Sequence, residues 1–525
     1  MVYQRGTVSS YKMWADQVGD ESFQWENFKP YFEKSIHYTP PRDDLRFANA
    51  TPSIDDSTLG RNGHLSVIHA HYAQAFATWV TRGLSEIGLD IIPGFLNGSL
   101  LGQSYSTFTI DANSSLRDSS ETAFLRKSLN DPEYTVYTSA MAKKILFNND
   151  ATPKATGVLV DTQGFEYILS AKKEVILTAG VFGSPQILQV SGIGPAEVLK
   201  AAGVPVLVDR PGVGRNMEDH LYFGITHRVN APTLSALQDP VYAAQQAELF
   251  NDKAAGIYSN PTSDVLGWEK VPARLRKGWS NSTQTTLSKY PADWPEVEYI
   301  SLAGYVGLQE DSRRGDPGDG YNYATLALAL CTPRSRGTVT ITSPDSYVAP
   351  LIDPNFLFEQ ADVDVSIAAF KRAREFWATD ALADFKVGDD ETFPGPQVAS
   401  DDQIHEIIKQ SYNTIYHGAC TCAMGKKNDR LAVVDTKARV YGVKGLRVAD
   451  ASSFPILPPG HPQATVCKWQ SHVELIEMVF GGSANVSQML SLKRLLVPSL
   501  ASADCCISYY PTLDYLSLSF HRSQK

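Results

Sequence analysis

Two histidines, one carboxylate and one stretch of small residues are the places where this sequence could do chemistry. His417 lies in Tyr416-His-Gly-Ala-Cys-Thr-Cys-Ala-Met-Gly425 and His461 in Gly460-His-Pro-Gln463. Imidazole takes and returns protons near neutrality, although most of the eleven histidines in such a chain serve packing. Cys420 and Cys422 invite a metal reading. No second cysteine pair or His-x-x-x-His follows at ligand spacing, so neither a four-ligand zinc nor any other metal is expected. Asp450, just after the β run Leu446 to Val448, suits a helix cap. In Gly180-Val-Phe-Gly-Ser-Pro-Gln-Ile-Leu-Gln-Val-Ser-Gly-Ile-Gly-Pro195, small residues let backbone approach a ligand. Ser184-Pro185 predicts a helix start whose free N–H groups favour an anion. The Gly-x-x-Gly-Ser-Pro portion alone reads equally as a tight turn entering a helix.

Those residues need elements to hold them. Short β runs separated by turn residues are predicted at Tyr134 to Tyr137, Lys144 to Phe147, Gly157 to Val160, Phe165 to Leu169 and Glu174 to Leu177. They read as a small antiparallel unit feeding the strand Glu174-Val-Ile-Leu-Thr-Ala-Gly180. A strand closed by Ala-Gly and followed by a helix over Ser184 to Val190 outlines an α/β crossover. Helix-spaced apolar residues mark Tyr72 to Ile87 and Val363 to Trp377. Strands of a separate sheet are expected at 323–331 and 337–342. Two more, Leu431 to Val434 and Leu446 to Val448, precede a helix from about Gln463. Residues 1–40 lead from a loop into an aromatic helical stretch, and 230–320 are loop-rich and aromatic.

The 525 residues are 43% hydrophobic and 20% charged, which supports large cores and excludes coiled-coil, collagen-like or mainly disordered chains. No window approaches the length of an apolar membrane span. Net charge is −10 without a dense basic run, so nucleic acid is not an expected partner. Six cysteines do not make a disulfide scaffold. Five Asn-x-Ser/Thr acceptors, at Asn49, Asn97, Asn113, Asn281 and Asn485, exceed the roughly two or three that chance gives and point towards secretion. Residues 1–20 nonetheless hold no apolar signal-peptide core.

The sixteen residues Gly180 to Pro195 closely resemble the second signature of the glucose-methanol-choline (GMC) flavoprotein oxidoreductases. Arg210-Pro-Gly-Val-Gly-Arg-Asn-Met-Glu-Asp-His220 resembles that family's Gly-x-Asn-x-x-Asp-His element. Pro333-Arg-Ser-Arg-Gly-Thr-Val339 with Ile352-Asp-Pro-Asn355 resembles the start of its substrate-domain sheet. The stretches around His417, Gly445-Leu-Arg-Val-Ala-Asp-Ala-Ser452 and Gly460 to Gln463 resemble its C-terminal active-site region. Four motifs in the right order cover roughly residues 1–480. The resemblance implies FAD as cofactor, a small-molecule alcohol as substrate, and oxygen or another acceptor to reoxidise the flavin. It implies His417 as the base that takes the hydroxyl proton and His461 as its partner on the substrate oxygen, although the motifs do not by themselves order the pair. It places Val136 against the adenine through backbone, and Ala179 and Gly180 near the adenosine half. Asp450 and Ala451 fall along the ribityl-pyrophosphate region, and Pro462 and Gln463 beside the flavin ring. Cys420 stands where the family usually has Gly, a Cys-Thr-Cys form that looks closer to fungal secondary-metabolite and aryl-alcohol-type members.

The implied fold is α/β (α+β overall), a split Rossmann-like FAD-binding domain plus a substrate domain with a mostly antiparallel sheet. The expected division is a flavin-attachment or lid remnant at 1–60, FAD-binding part at 61–220, substrate domain at 221–400, the rest of the FAD domain with both histidines at 401–480, and an atypical Ser-rich tail at 481–525. One family element is missing: no Gly-x-Gly-x-x-Gly occurs in the 525 residues. Met1-Val-Tyr-Gln-Arg-Gly6 resembles the end of the family's first signature, normally about a hundred residues in. The expectation is therefore a gene product longer at its N-terminus, with a secretion signal lost alongside the first βαβ unit. Two alternatives stand beside alcohol oxidation: a flavin-dependent non-redox lyase or cyclase on the same fold, and an inactive truncated product. A nicotinamide dehydrogenase fits least.

Overall fold

Continuous apolar runs in a strand mean that both of its faces are covered, and Asn322–Leu330 is such a strand. Its Ala324, Leu326 and Leu328 join a core with Phe370, Phe376 and Trp377 of the helix Gln360–Trp377. Ala327 and Ala329 face the other way, against Trp268, Phe95 and Leu100. In this computed structural model, which describes residues 1–131, 134–309, 315–472 and 495–497 (468–472 and 495–497 as backbone only), that strand lies inside a six-stranded sheet. The order is Asn413–Thr414, Leu221–Val229, Asn322–Leu330, Val297–Leu302, Val265–Glu269, Gly102–Tyr105, and every pairing is antiparallel. Both edge strands come from chain segments distant in sequence, so the sheet is fastened to the rest of the molecule at each side.

The second large core surrounds the strand Val175–Leu177. Leu446–Val448 pairs parallel with it on one side and the backbone of Leu495–Val497 on the other, both in register with Val175. The helix Gly180–Val190 follows, buried from Ser184 to Val190. The strands Met141–Phe147, Ala155–Thr162 and Phe165–Ser170 form the antiparallel unit read from the turn spacing. Tyr11, Trp14, Phe23, Phe28 and Phe32, on and between the helices Val8–Val18 and Trp25–Ser35, make a buried aromatic cluster. Trp14 reaches Phe454 at a centroid distance of 4.9 Å, and the Tyr11 hydroxyl meets Thr465 Oγ1 at 2.8 Å. That cluster seats the start of the helix Gln463–His472. The chain is thereby an α/β fold with an attached antiparallel sheet.

Three local expectations are corrected. Tyr134 to Tyr137 is irregular backbone rather than strand. Leu431 to Val434 contributes only single bridges, Val434 to Met424 and to Val440. The helix predicted from Ser184 begins at Gly180, which puts Pro185 inside it. Proline has no N–H for the carbonyl four residues earlier, and that carbonyl, on Val181, instead accepts from the Thr421 hydroxyl at 2.7 Å. The tail at 481–525 lies outside the described residues, apart from 495–497. Among the described residues no helix is long and apolar enough to cross a membrane.

Candidate active site

The segment Met217-Glu-Asp-His220 is the clamp on which the site is built. Glu218 pairs by backbone with Ala419, and Ile415 N–H donates to the His220 carbonyl at 2.9 Å. The Asp219 carboxylate accepts from His417 N–H at 3.0 Å and from the Thr414 hydroxyl at 2.5 Å. Burial pushes Asp219 up to about 7. The Glu218 carboxylate accepts from Leu457 N–H at 3.1 Å and pairs with Arg336 at 2.9 Å, tying the approach to His461 to the same clamp. Residues far apart in sequence converge because one four-residue stretch grips both.

His417 sits between Tyr416 and Cys420, both in left-handed backbone at φ 64° and 72°. Cys420 thus holds a conformation that favours glycine, with its side chain buried. The His417 Nε2 atom lies 3.0 Å from His461 Nδ1, and His417 Nδ1 lies 3.0 Å from His220 Nδ1. Beyond His461, Nε2 lies 2.9 Å from Glu298 Oε1 on the strand Val297–Leu302. Desolvation lowers His417 well below the ordinary imidazole value, with His461 and His220 adding to the effect. Burial takes His220 down to about 3 and raises Glu298. The row can pass or hold a proton at every contact. Among the described residues, no group of three or more His, Cys, Asp or Glu is placed to hold a metal ion.

The other residues singled out from sequence fall into two groups. Asp450 is buried, and its carboxylate accepts from Ser452 N–H at 2.8 Å, Ser184 hydroxyl at 2.5 Å and Gly180 N–H at 3.1 Å. The Asp450 carboxyl therefore caps the start of the helix Gly180–Val190, and Ala179 N–H is taken by Ser184 Oγ at 3.0 Å. The N–H groups of Ala179 and Gly180 are thus taken within the chain. Ala451 accepts from Cys420 N–H at 3.0 Å, linking this group to His417. Pro462 and Gln463 stand at the start of the helix Gln463–His472 beside His461, with Gln463 Nε2 donating to Thr109 Oγ1 at 3.2 Å. Val136 lies half-buried in the irregular segment described above.

The residues fit a flavin at the ring end. Gln4 is fully buried with both amide atoms unpartnered, an arrangement that calls for a ligand carrying both donors and acceptors. It lies against Gly460, where a Cβ would come within 2.1 Å of its Nε2 and φ is +91°. The turn before His461 is thus shaped around a free amide.

Glu298, His220, Asp219 and Gln4 were not assigned roles from sequence. A carboxylate inside Val297-Glu-Tyr-Ile300, a run reading as buried strand, was the available signal for Glu298.

An α/β core carrying an attached antiparallel sheet, with two imidazoles paired beside the start of the helix Gln463–His472, is the architecture of FAD-dependent oxidoreductases of one family. The chain belongs to the GMC oxidoreductases: the N-terminal family model matches residues 1–222 and the C-terminal one residues 333–468. It is 53% identical over 468 residues to patulin synthase of Aspergillus clavatus, covering 89% of this chain and 74% of that protein. Identity to patulin synthase of Penicillium expansum is 55% over the same length and shares. Versicolorin B synthase of Aspergillus parasiticus is 41% identical over 473 residues, 89% of this chain and 71% of that one. Among solved structures, an FAD-dependent oxidoreductase from Chaetomium thermophilum superposes with a TM-score of 0.78 at 27% identity, covering 91% of this chain and 84% of that chain. A fungal aryl-alcohol oxidase shares the fold, with a TM-score of 0.76 at 22% identity over 92% and 84% of the two chains. The cofactor of this family is FAD.

Proposed function

We propose that the chain oxidises an alcohol on a small, oxygenated fungal secondary metabolite, with His417 as proton acceptor and His461 as the group that holds the substrate oxygen. The observation that carries this is the 3.0 Å approach of His417 Nε2 to His461 Nδ1 with Glu298 behind. A hydroxyl brought against both nitrogens meets a base at one and a donor at the other. FAD, when bound, accepts the hydride from the carbinol carbon. Burial lowers the affinity of His417 for a proton, so it stands unprotonated and ready near neutrality. The imidazole of His461, backed by the Glu298 carboxyl, orients the oxygen. Identity above 50% to two patulin synthases supports a substrate of that chemical class.

Ala179 and Gly180 are assigned to the adenosine half of the cofactor, Asp450 and Ala451 to its ribityl-pyrophosphate region and Pro462 and Gln463 to its ring, with Val136 towards the adenine. Oxygen or another acceptor completes the cycle. Exposed acceptor asparagines at positions 49, 113 and 281 support passage through the secretory pathway. A shift in mass on endoglycosidase treatment of protein from a fungal host tests that.

The test of function is anaerobic titration of the purified flavoprotein with small aromatic and polyketide-type alcohols. Bleaching of the flavin band is expected, slowed at least about 100-fold in His417→Ala. Product formation with the flavin still oxidised would instead select acid–base chemistry without redox, the lyase or cyclase reading.

A further inference from the structure

Glu298, His461, His417 and His220 form a single file. The contacts are 2.9 Å from Glu298 Oε1 to His461 Nε2, 3.0 Å from His461 Nδ1 to His417 Nε2, and 3.0 Å from His417 Nδ1 to His220 Nδ1. At each contact one atom must carry a proton and the other must not, and a neutral imidazole carries only one. The proton positions are therefore coupled along the whole row.

The Glu298 end sets the direction. If the carboxyl holds the proton, it donates to His461 Nε2 and the His461 proton sits on Nδ1. If His461 holds it, both of its nitrogens are protonated and Glu298 is the counter-ion. Either way His461 Nδ1–H points at His417 Nε2. The reverse direction requires an ionised Glu298 beside a neutral His461. That would bury an uncompensated carboxylate whose Oε2 has no partner, the costliest of the arrangements. His417 Nε2 is consequently bare, and its one proton lies on Nδ1, facing His220.

We propose that His220 is a positioning residue that accepts the His417 Nδ1–H at its own Nδ1, locking His417 in the tautomer whose Nε2 is free to take a proton. The proposal rests on the reading of His417 as proton acceptor, because only then does a bare Nε2 matter to the reaction. The geometry suits a lock. The rings meet edge to face at 80° with centroids 5.2 Å apart. The neighbouring Asp219 holds the backbone of the same histidine. Burial keeps His220 neutral down to about pH 3, so its ring always offers one bare nitrogen. Its other nitrogen, Nε2, is buried without a partner. No second contact therefore dictates which way the ring's proton lies. The titratable groups facing His417 are His220 and Asp219 from one segment, and His461 with Glu298 behind it from the other side.

The experiment is proton–nitrogen correlation NMR on full-length holoenzyme with 15N-labelled histidine, the His417 signals being assigned from their loss in His417→Gln. The expected wild-type pattern is Nδ1–H. His220→Phe keeps the ring volume but offers no acceptor, and the expected result is a shift to Nε2–H or a mixture. His220→Asn, whose Oδ1 takes the place of Nδ1, should restore Nδ1–H. In parallel, His220→Phe should slow anaerobic flavin reduction about 10- to 100-fold in kcat with little change in KM and displace the pH profile, and His220→Asn should recover both. Nε2–H on His417 in the wild type, or Nδ1–H persisting unchanged in His220→Phe, overturns the proposal. If the Phe variant does not fold, the wild-type pattern together with that of His220→Asn decides. Undiminished flavin reduction in His417→Gln would retire the reading of His417 as proton acceptor, a failure distinct from that of the tautomer assignment, which the spectra decide.

Discussion

The Thr421 hydroxyl donates to the Val181 carbonyl at 2.7 Å, and Val181 is the residue whose carbonyl Pro185 leaves without a helical partner. The central residue of Cys420-Thr-Cys422 therefore repairs a defect in the helix Gly180–Val190, 240 positions away. Two of the motifs read separately in the sequence are one structural unit. Thr421→Val should cost about 1–2 kcal/mol by leaving a part-buried carbonyl unpaired, whereas Thr421→Ser should be close to neutral. Chemical denaturation of the two variants checks the difference.

Asp219 should make stability fall as pH rises. Its carboxyl is neutral in the fold up to about 7 and ionises near 3.8 when unfolded. The native state therefore binds the extra proton between those values, and folding is favoured at the lower pH. The contribution is present below about pH 4 and lost by about pH 7. Asp219→Asn should flatten the decline in urea midpoint over that window; an unchanged slope would count against it.

Gly460→Ala should damage the site without touching either histidine. The added methyl would come within 2.1 Å of Gln4 Nε2, at a φ of +91° that L-residues avoid. We expect a stability loss of about 1–3 kcal/mol and a fall in flavin reduction of at least about tenfold, as His461 moves with its turn. A stopped-flow trace and a thermal melt on the same preparation separate the two effects.

Glu298→Gln keeps a side chain able to reach His461 Nε2 but can neither hold a proton for it nor serve as its counter-ion. The expected result is a loss in kcat of roughly 10- to 100-fold with KM little changed. Glu298→Leu, which leaves His461 Nε2 with no partner, should in addition loosen the ring and raise KM. Steady-state kinetics on both variants distinguishes electrostatics from orientation.

Period and punctuation made much of the fold legible in the sequence. The strands from Met141 to Leu177, the helix ending at Trp377 and the strand Leu446–Val448 followed from alternation, helical spacing and turn residues, all local properties. Where expectation failed, a distant partner decided. Thr421 made a helix containing Pro185 tolerable, so that helix could start at Gly180 with Asp450 capping it. Tyr134 to Tyr137 has strand-forming residues but pairs with no strand.

The candidate site divides in the same way. His417 and His461 stood out because motif spacing is written along the chain. Glu298 and His220 did not, because a carboxylate in an apolar run and a histidine at the end of a motif look structural until the fold sets each within 3.0 Å of another imidazole. The sequence by itself determined the family and the cofactor, and it singled out two histidines that the fold brings within 3.0 Å of each other. Only the tertiary structure decided that a carboxyl lies behind one histidine and a third imidazole behind the other. Residue type gives an imidazole its range of proton affinities, but burial and neighbours choose the value and the tautomer, and those belong to the fold.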